Sequence, residues 1–190
     1  MSPVALPRAP PLAVTCAGIS LASNGTVESS TIIYEHSFVG PLATPKTHVS
    51  DKPYTFHRGR ITAGNVIAAD VTGLDERKIF GVLMDRERLG TTGVGSGIAI
   101  PHGKLAELDR LYGVFARLEK PVDFQSIDDR PVDLIFVLLA PEEAGADHLK
   151  ALARVSRLLR DHDVCDKLRG TNETDALYAI MTEAQETRAA

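Results

Sequence analysis

Residues 74–104 read LDERKIFGVLMDRERLGTTGVGSGIAIPHGK, and their order decides the fold class. Residues 74–88 place Leu74, Ile79, Phe80, Val82, Leu83 and Met84 on a broad apolar stripe with charges between them, the pattern of an amphipathic helix. Thr72, with Asp75 three residues after it, fits a variant of the helix N-terminal capping box. A glycine-rich loop follows at residues 89–97, then a short apolar strand Ile98-Ala99-Ile100 that Pro101 stops. Further on, residues 111–118 and 132–140 read as two strands. The second, VDLIFVLLA, is almost wholly apolar and belongs in the centre of a sheet. Between them lie a short Val122-Asp123-Phe124 segment and a turn at Asp128-Asp129. A long helix over residues 146–159 turns Leu149, Leu152, Val155, Leu158 and Leu159 inward, and helical stretches at 164–168 and 173–186 follow. Strands alternating with helices predict an α/β layered domain.

Composition agrees and sets limits. A chain of 190 residues holds one domain of usual size. Its formal charge of −4 gives no global positive field, so nucleic acid and anionic membranes are poor partners. No apolar run approaches the roughly 18 to 20 residues of a membrane span, so membrane insertion is not expected. Cys16 and Cys165 alone supply neither a disulfide framework nor a four-ligand zinc site, and a reducing cytoplasm is the natural location. The mildly apolar start is broken by Pro3, Pro7, Pro10 and Pro11, and Arg8 is its single basic residue, which argues against an export signal. Residues 1–60 hold seven of the eleven prolines and eight charges, against 38 charges in residues 61–190. Residues 61–190 are therefore expected to form the domain, and residues 1–60 to be largely irregular or disordered. The β-branched and aromatic run over residues 31–39 is the exception, a possible strand.

The glycines do not make a nucleotide site. A dinucleotide loop needs a strand before the glycines and a helix after them, and here the order is reversed. Gly103-Lys104 is not a phosphate loop either, because Leu105 stands where Ser or Thr should bind magnesium. A hydrolase built on Ser96, His102 and an aspartate lacks the strained strand-to-helix turn such a serine needs. Of the six histidines, His36, His48 and His57 have no partner pattern, and His162 reads as a surface residue near a helix C-terminus. His102 stands apart: it ends an apolar strand, follows Pro101 and precedes Gly103. On these residues alone a simple turn histidine and a functional imidazole are both open.

The stretch DRERLGTTGVGSGIAIPHGK, residues 85–104, resembles the phosphorylation-site signature of the mannitol/fructose-type enzyme IIA domains of the bacterial phosphotransferase system. Its wording is nearest the nitrogen-regulatory branch. The likeness continues through residues 109–115, Pro121-Val122-Asp123-Phe124, residues 131–141 and Ala146-Asp147-His148-Leu149, and covers about residues 61–190.

The resemblance implies a mixed β-sheet flanked by helices and a phosphoryl carrier that uses no metal or other cofactor. It places the acceptor histidine at His102, which takes phosphate from an HPr-like phosphocarrier, by family analogy on Nε2. Neutral imidazole is a good nucleophile near pH 7. A hydrogen bond from Nδ1 to a backbone carbonyl would fix the tautomer and leave Nε2 free. The resemblance also places a second histidine at His148, near the start of the long helix, and an arginine at Arg86. There His148 would be a neutral donor with its pKa lowered by the helix N-terminus, and Arg86 a permanent forked cation. Thr92 and the amides of residues 93–97 would complete a cradle for the phosphoryl oxygens. Arg86 also fits a solvated helix residue paired with Asp85 or Glu87, His148 a plain helix-cap residue, and a role for Thr92 is equally open.

The branch implies regulatory targets such as a sensor kinase or a potassium transporter. The alternatives are a fructose- or mannitol-specific enzyme IIA that passes phosphate to a IIB protein, and a binding module that carries no phosphate. One departure stands out. Ile61-Thr62-Ala63-Gly64-Asn65-Val66-Ile67 resembles the family's opening, yet Thr72-Gly73-Leu74-Asp75-Glu76-Arg77 resembles a later point, so the first strand-helix unit is missing between them. The open sheet edge this leaves could destabilise the domain, pair with another chain or recruit residues 31–39.

Overall fold

The computed structural model describes residues 12–19, 31–37, 46–50, 68, 72–171 and 173–186. The expected amphipathic helix is α1, Glu76–Arg88. Its cap is Asp75 rather than Thr72. Asp75 is extended, and its carboxylate accepts the amides of Arg77 and Lys78, while Thr72 turns its hydroxyl to the Ala68 carbonyl. Glu76 in the first turn and Arg86 and Arg88 in the last complement the helix dipole. Ile79 and Leu83 are buried, whereas Phe80, expected on the inner stripe, is exposed.

Three short strands follow: β4 Gly93–Gly95, β5 Ile98–Ala99 and β6 His102–Leu105, after the N-terminal β1 Leu12–Ile19, β2 Thr31–Ser37 and β3 Lys46–Ser50. Two long ones, β7 Leu111–Val122 and β8 Val132–Pro141, form the middle of the sheet. A 3-10 turn at Glu142–Ala144 leads into α2 Gly145–Leu159, α3 His162–Arg169 and α4 Thr174–Glu186. His162 is thus exposed as expected, but it opens a helix, with Asp161 as the cap.

The sheet is mixed, in the order β3-β2-β1-β7-β8-β5-β4, with β6 also pairing β8. β7 and β8 are antiparallel, while β5 and β6 succeed one another along β8, both parallel to it. Alternation along β8 divides the core in two. Ile135, Val137 and Leu139 join Ile79 and Leu83 of α1, and Leu134, Phe136, Leu138 and Ala140 join residues of α2, α3 and α4. An apolar strand buried on both faces is what VDLIFVLLA requires.

In α2 the inward positions are His148, Ala151, Val155, Leu158 and Leu159. Leu149, expected among them, is 64% exposed. The spacing explains the exchange: the 148, 151, 155, 158 series keeps one helical face, and Leu149 lies about 100° away from it.

Residues 12–50 contribute three strands where the sequence suggests one. β1 lies parallel to β7 over eight residue pairs, Leu12 opposite Leu111 through Ile19 opposite Leu118. The open edge of β7 is therefore met by β1, and the 31–39 run, as β2, stands one place further out, antiparallel to β1. The uncharged run LAVTCAGI suits a strand with neighbours on both sides. The segment 61–67, which resembles a family opening, lies outside the described residues.

Candidate functional site

β6 begins at His102, so this residue opens a strand where the sequence suggests the end of one. Pairing fixes its backbone: His102 lies opposite Leu138, and the Leu138 amide donates to the Pro101 carbonyl at 2.9 Å. The ring is fixed at both nitrogens. Nδ1 lies 2.8 Å from the Ile100 carbonyl, and Nε2 lies 3.0 Å from Nε of Arg86. A carbonyl can only accept and an arginine N–H can only donate, so the proton sits on Nδ1 and the lone pair on Nε2. Burial, more than any other influence, pushes the His102 pKa below its ordinary value. The Ile100 hydrogen bond opposes this, the Arg86 charge adds to it and the Glu87 charge opposes it.

Arg86 comes from the last turn of α1 and also donates through a terminal nitrogen to the Gly90 carbonyl at 3.1 Å. It reaches His102 because α1 lies hard against β6. A Cβ on Gly103 would run into Cγ1 of Val82, one turn before Arg86. The glycine after the histidine is thus a packing requirement of the site.

His148 projects from the first turns of α2, buried, with its ring centre 5.8 Å from that of His102 and the planes tilted by 46°. Its Nδ1 has no hydrogen-bond partner among the described residues. Its pKa is lowered, by burial first and then by the charges of His102 and Lys104. Burial, and not the helix N-terminus that the resemblance suggests, leads this lowering. Lys104, two residues along β6, falls on the same strand face as His102 and adds a cation to this side.

Thr92 is buried, and both of its donors go to Glu87. Its amide lies 3.0 and 3.1 Å from the two carboxylate oxygens, and its hydroxyl 2.5 Å from one of them. The glycine turn is elsewhere. Gly95, Ser96 and Gly97 all have positive φ, and the Ser96 amide donates to Asp128 at 2.8 Å. Ile98 pairs with Leu134 while His102 pairs with Leu138, four residues on, which is about 13 Å along β8. The turn therefore packs beside Asp133 and Arg169 and does not wrap His102.

The structure thus brings Arg86, His102 and His148 together and turns Thr92 toward Glu87. The resulting chemistry is a neutral, oriented imidazole nitrogen facing a fixed guanidinium, beside a second neutral imidazole. Nothing local in the sequence marks the tie of Glu87 to Thr92, because it depends on how the chain turns after α1. Among the described residues no three His, Cys, Asp or Glu side chains converge as a metal site would. No described helix is long and apolar enough to cross a membrane.

The family described as phosphoenolpyruvate-dependent sugar phosphotransferase system, EIIA 2, matches residues 63–184. A nitrogen regulatory protein of Bradyrhizobium diazoefficiens is 60% identical over 114 residues, covering 60% of this chain and 74% of that relative. The crystal structure of nitrogen regulatory protein IIA-Ntr from Neisseria meningitidis superposes with a TM-score of 0.60 at 34% identity, over 63% of this chain and 82% of that one. Escherichia coli mannitol IIA shares the fold, with a TM-score of 0.50 at 24% identity, over 62% of this chain and 82% of that one.

Proposed function

From the premise that the chain belongs to the phosphotransferase system EIIA 2 family, we propose that it carries a phosphoryl group on Nε2 of His102 and acts as a phosphorylation-dependent regulator. One observation carries the reading. Nδ1–H of His102 is committed to the Ile100 carbonyl, so the lone pair is held on Nε2, where Arg86 already points.

The donor is an HPr-like phosphocarrier bearing phosphohistidine. The Nε2 lone pair attacks phosphorus, the donor's N–P bond breaks, and the electron pair of that bond returns to the donor's imidazole. Such transfers depend mainly on position and charge. Arg86 releases Nε2 and donates to the phosphoryl oxygens, and His148, kept neutral by burial, offers a ring N–H beside them. The Thr92 hydroxyl serves this site through Glu87. Residues 61–190 form the phosphotransfer domain, working in the cytoplasm.

The regulatory role is supported by the identity with a nitrogen regulatory protein. A phosphoryl group adds roughly −1.5 to −2 charges, enough to change which surface a target such as a sensor kinase or potassium transporter accepts. The chain is incubated with phosphoenolpyruvate, enzyme I and the carrier, and acid-labile phosphate is mapped. Label on His102 that is lost in His102→Ala is expected, and it remains when a fructose or mannitol IIB protein is added. Drainage to IIB would assign the sugar-specific role. An unlabelled chain beside an active carrier would overturn the proposal in favour of a binding module.

A further inference from the structure

Resting on the reading of His102 as phosphoryl acceptor, we propose that Glu87 is a positioning residue for that reaction: its carboxylate, gripped by Thr92, closes a circuit of contacts that aims Arg86 at Nε2. The circuit can be followed atom by atom. Arg86 Nε donates to His102 Nε2, His102 Nδ1 donates to the Ile100 carbonyl, and the Ile100 amide donates to the Thr92 carbonyl at 3.0 Å. The Thr92 amide and hydroxyl then donate to Glu87, which is joined to Arg86 by a peptide bond.

Both nitrogens of the acceptor ring are therefore fixed by one closed loop of structure. Val82 and Leu83 pack α1 against β6 one turn earlier, and in the last turn the polar ties to the strand side of the site are those of Arg86 to His102 and of Glu87 to Thr92. The local turn does not replace it. The Gly90 amide donates to the Glu87 carbonyl and the Gly90 carbonyl accepts from Arg86, so Gly90 moves with the helix end. The Glu87 carboxylate takes both Thr92 donors, the amide proton shared between its two oxygens and the hydroxyl proton on one of them. Its charge beside the ring also offsets part of the Arg86 field. The other charged or titratable groups acting at this ring are Arg86 and His148, and Lys104 acts in turn on His148.

Single-turnover transfer from the phosphorylated HPr-like carrier to the full chain tests the circuit, with folding of each variant checked by urea denaturation. Glu87→Ala and Thr92→Val are each expected to slow transfer about tenfold, chiefly in kcat, while Thr92→Ser stays within about twofold. In an Arg86→Ala background the same changes are expected to cost less than about twofold, because their effect runs through Arg86. Equal slowing in both backgrounds, or no slowing with Arg86 present, overturns the proposal. Thr92→Val, which removes the hydroxyl donor and leaves Glu87 in place, carries the test if Glu87→Ala does not fold.

A second readout needs no phosphate. In proton–nitrogen NMR of the unmodified chain, the His102 Nε2 resonance is expected to move toward the unbonded position in Glu87→Ala and Thr92→Val and to stay in Thr92→Ser. An unmoved resonance contradicts the circuit. A native chain that takes no phosphate but shows these shifts keeps the circuit and removes the carrier reading.

Discussion

His102 and His148 both sit in surroundings that disfavour the imidazolium, and burial is the leading cause for each. The consequence for folding has a definite sign. Below the ordinary histidine pKa of about 6.5 the unfolded chain binds protons that the folded chain still refuses, so stability falls as pH falls through this window. The loss ends once the folded state is protonated as well. Urea denaturation between about pH 7.5 and 5 is expected to show this fall, with a flatter profile in His102→Asn/His148→Asn. Equal slopes in the two proteins would contradict the assignment. At this scale the sequence was informative where the geometry is local: Pro101-His102-Gly103 singled out His102 as a histidine set apart from the others, and Ile100 lies within reach of its ring. Glu87 was illegible because its partner, Thr92, is brought to it by the turn after α1. His148 was legible only by resemblance, since a histidine on an inward helical face looks like an error in an apolar stripe.

Among the elements, the contact of α1 with β6 carries the site, and Gly103 permits it. A methyl group there meets Val82 and pushes the helix outward, taking Arg86 with it. Gly103→Ala is expected to cost about 1–3 kcal/mol of stability by overpacking and to slow phosphoryl transfer about tenfold. Gly103→Ala/Val82→Ala makes room for the methyl and is expected to recover most of the transfer rate; no recovery would mean that the glycine serves something other than this packing. Element types were largely readable because β8 is apolar on both faces and α2 has a strong inward stripe. Errors came at ends and faces. Asp75 out-competed Thr72 as the cap, and while the Ile98-Ala99-Ile100 strand is present as β5, the short β4 and β6 arise from pairing to β5 and β8, which a local pattern of three or four residues does not reveal.

For the whole molecule, the layered α/β class was legible from alternating strands and helices and the mixed sheet from the family resemblance, but the N-terminal side of the sheet was not legible. β1 becomes a strand beside β7, nearly a hundred residues away in the chain, so its pairing is a tertiary outcome that composition cannot supply. The site depends on a different convergence: α1 brings Arg86, β6 brings His102 and α2 brings His148. Net charge is −4, yet the Arg86 cation acts on His102 and the Lys104 cation on His148, a local field that suits the proposed phosphoryl acceptor. The most direct measurement is long-range proton–nitrogen NMR with phosphorus coupling on the chain phosphorylated by its carrier. Phosphorus coupled to Nε2 of His102, with the proton still on Nδ1, is the expected result. Phosphorus on Nδ1, on any other residue or on none would contradict the account.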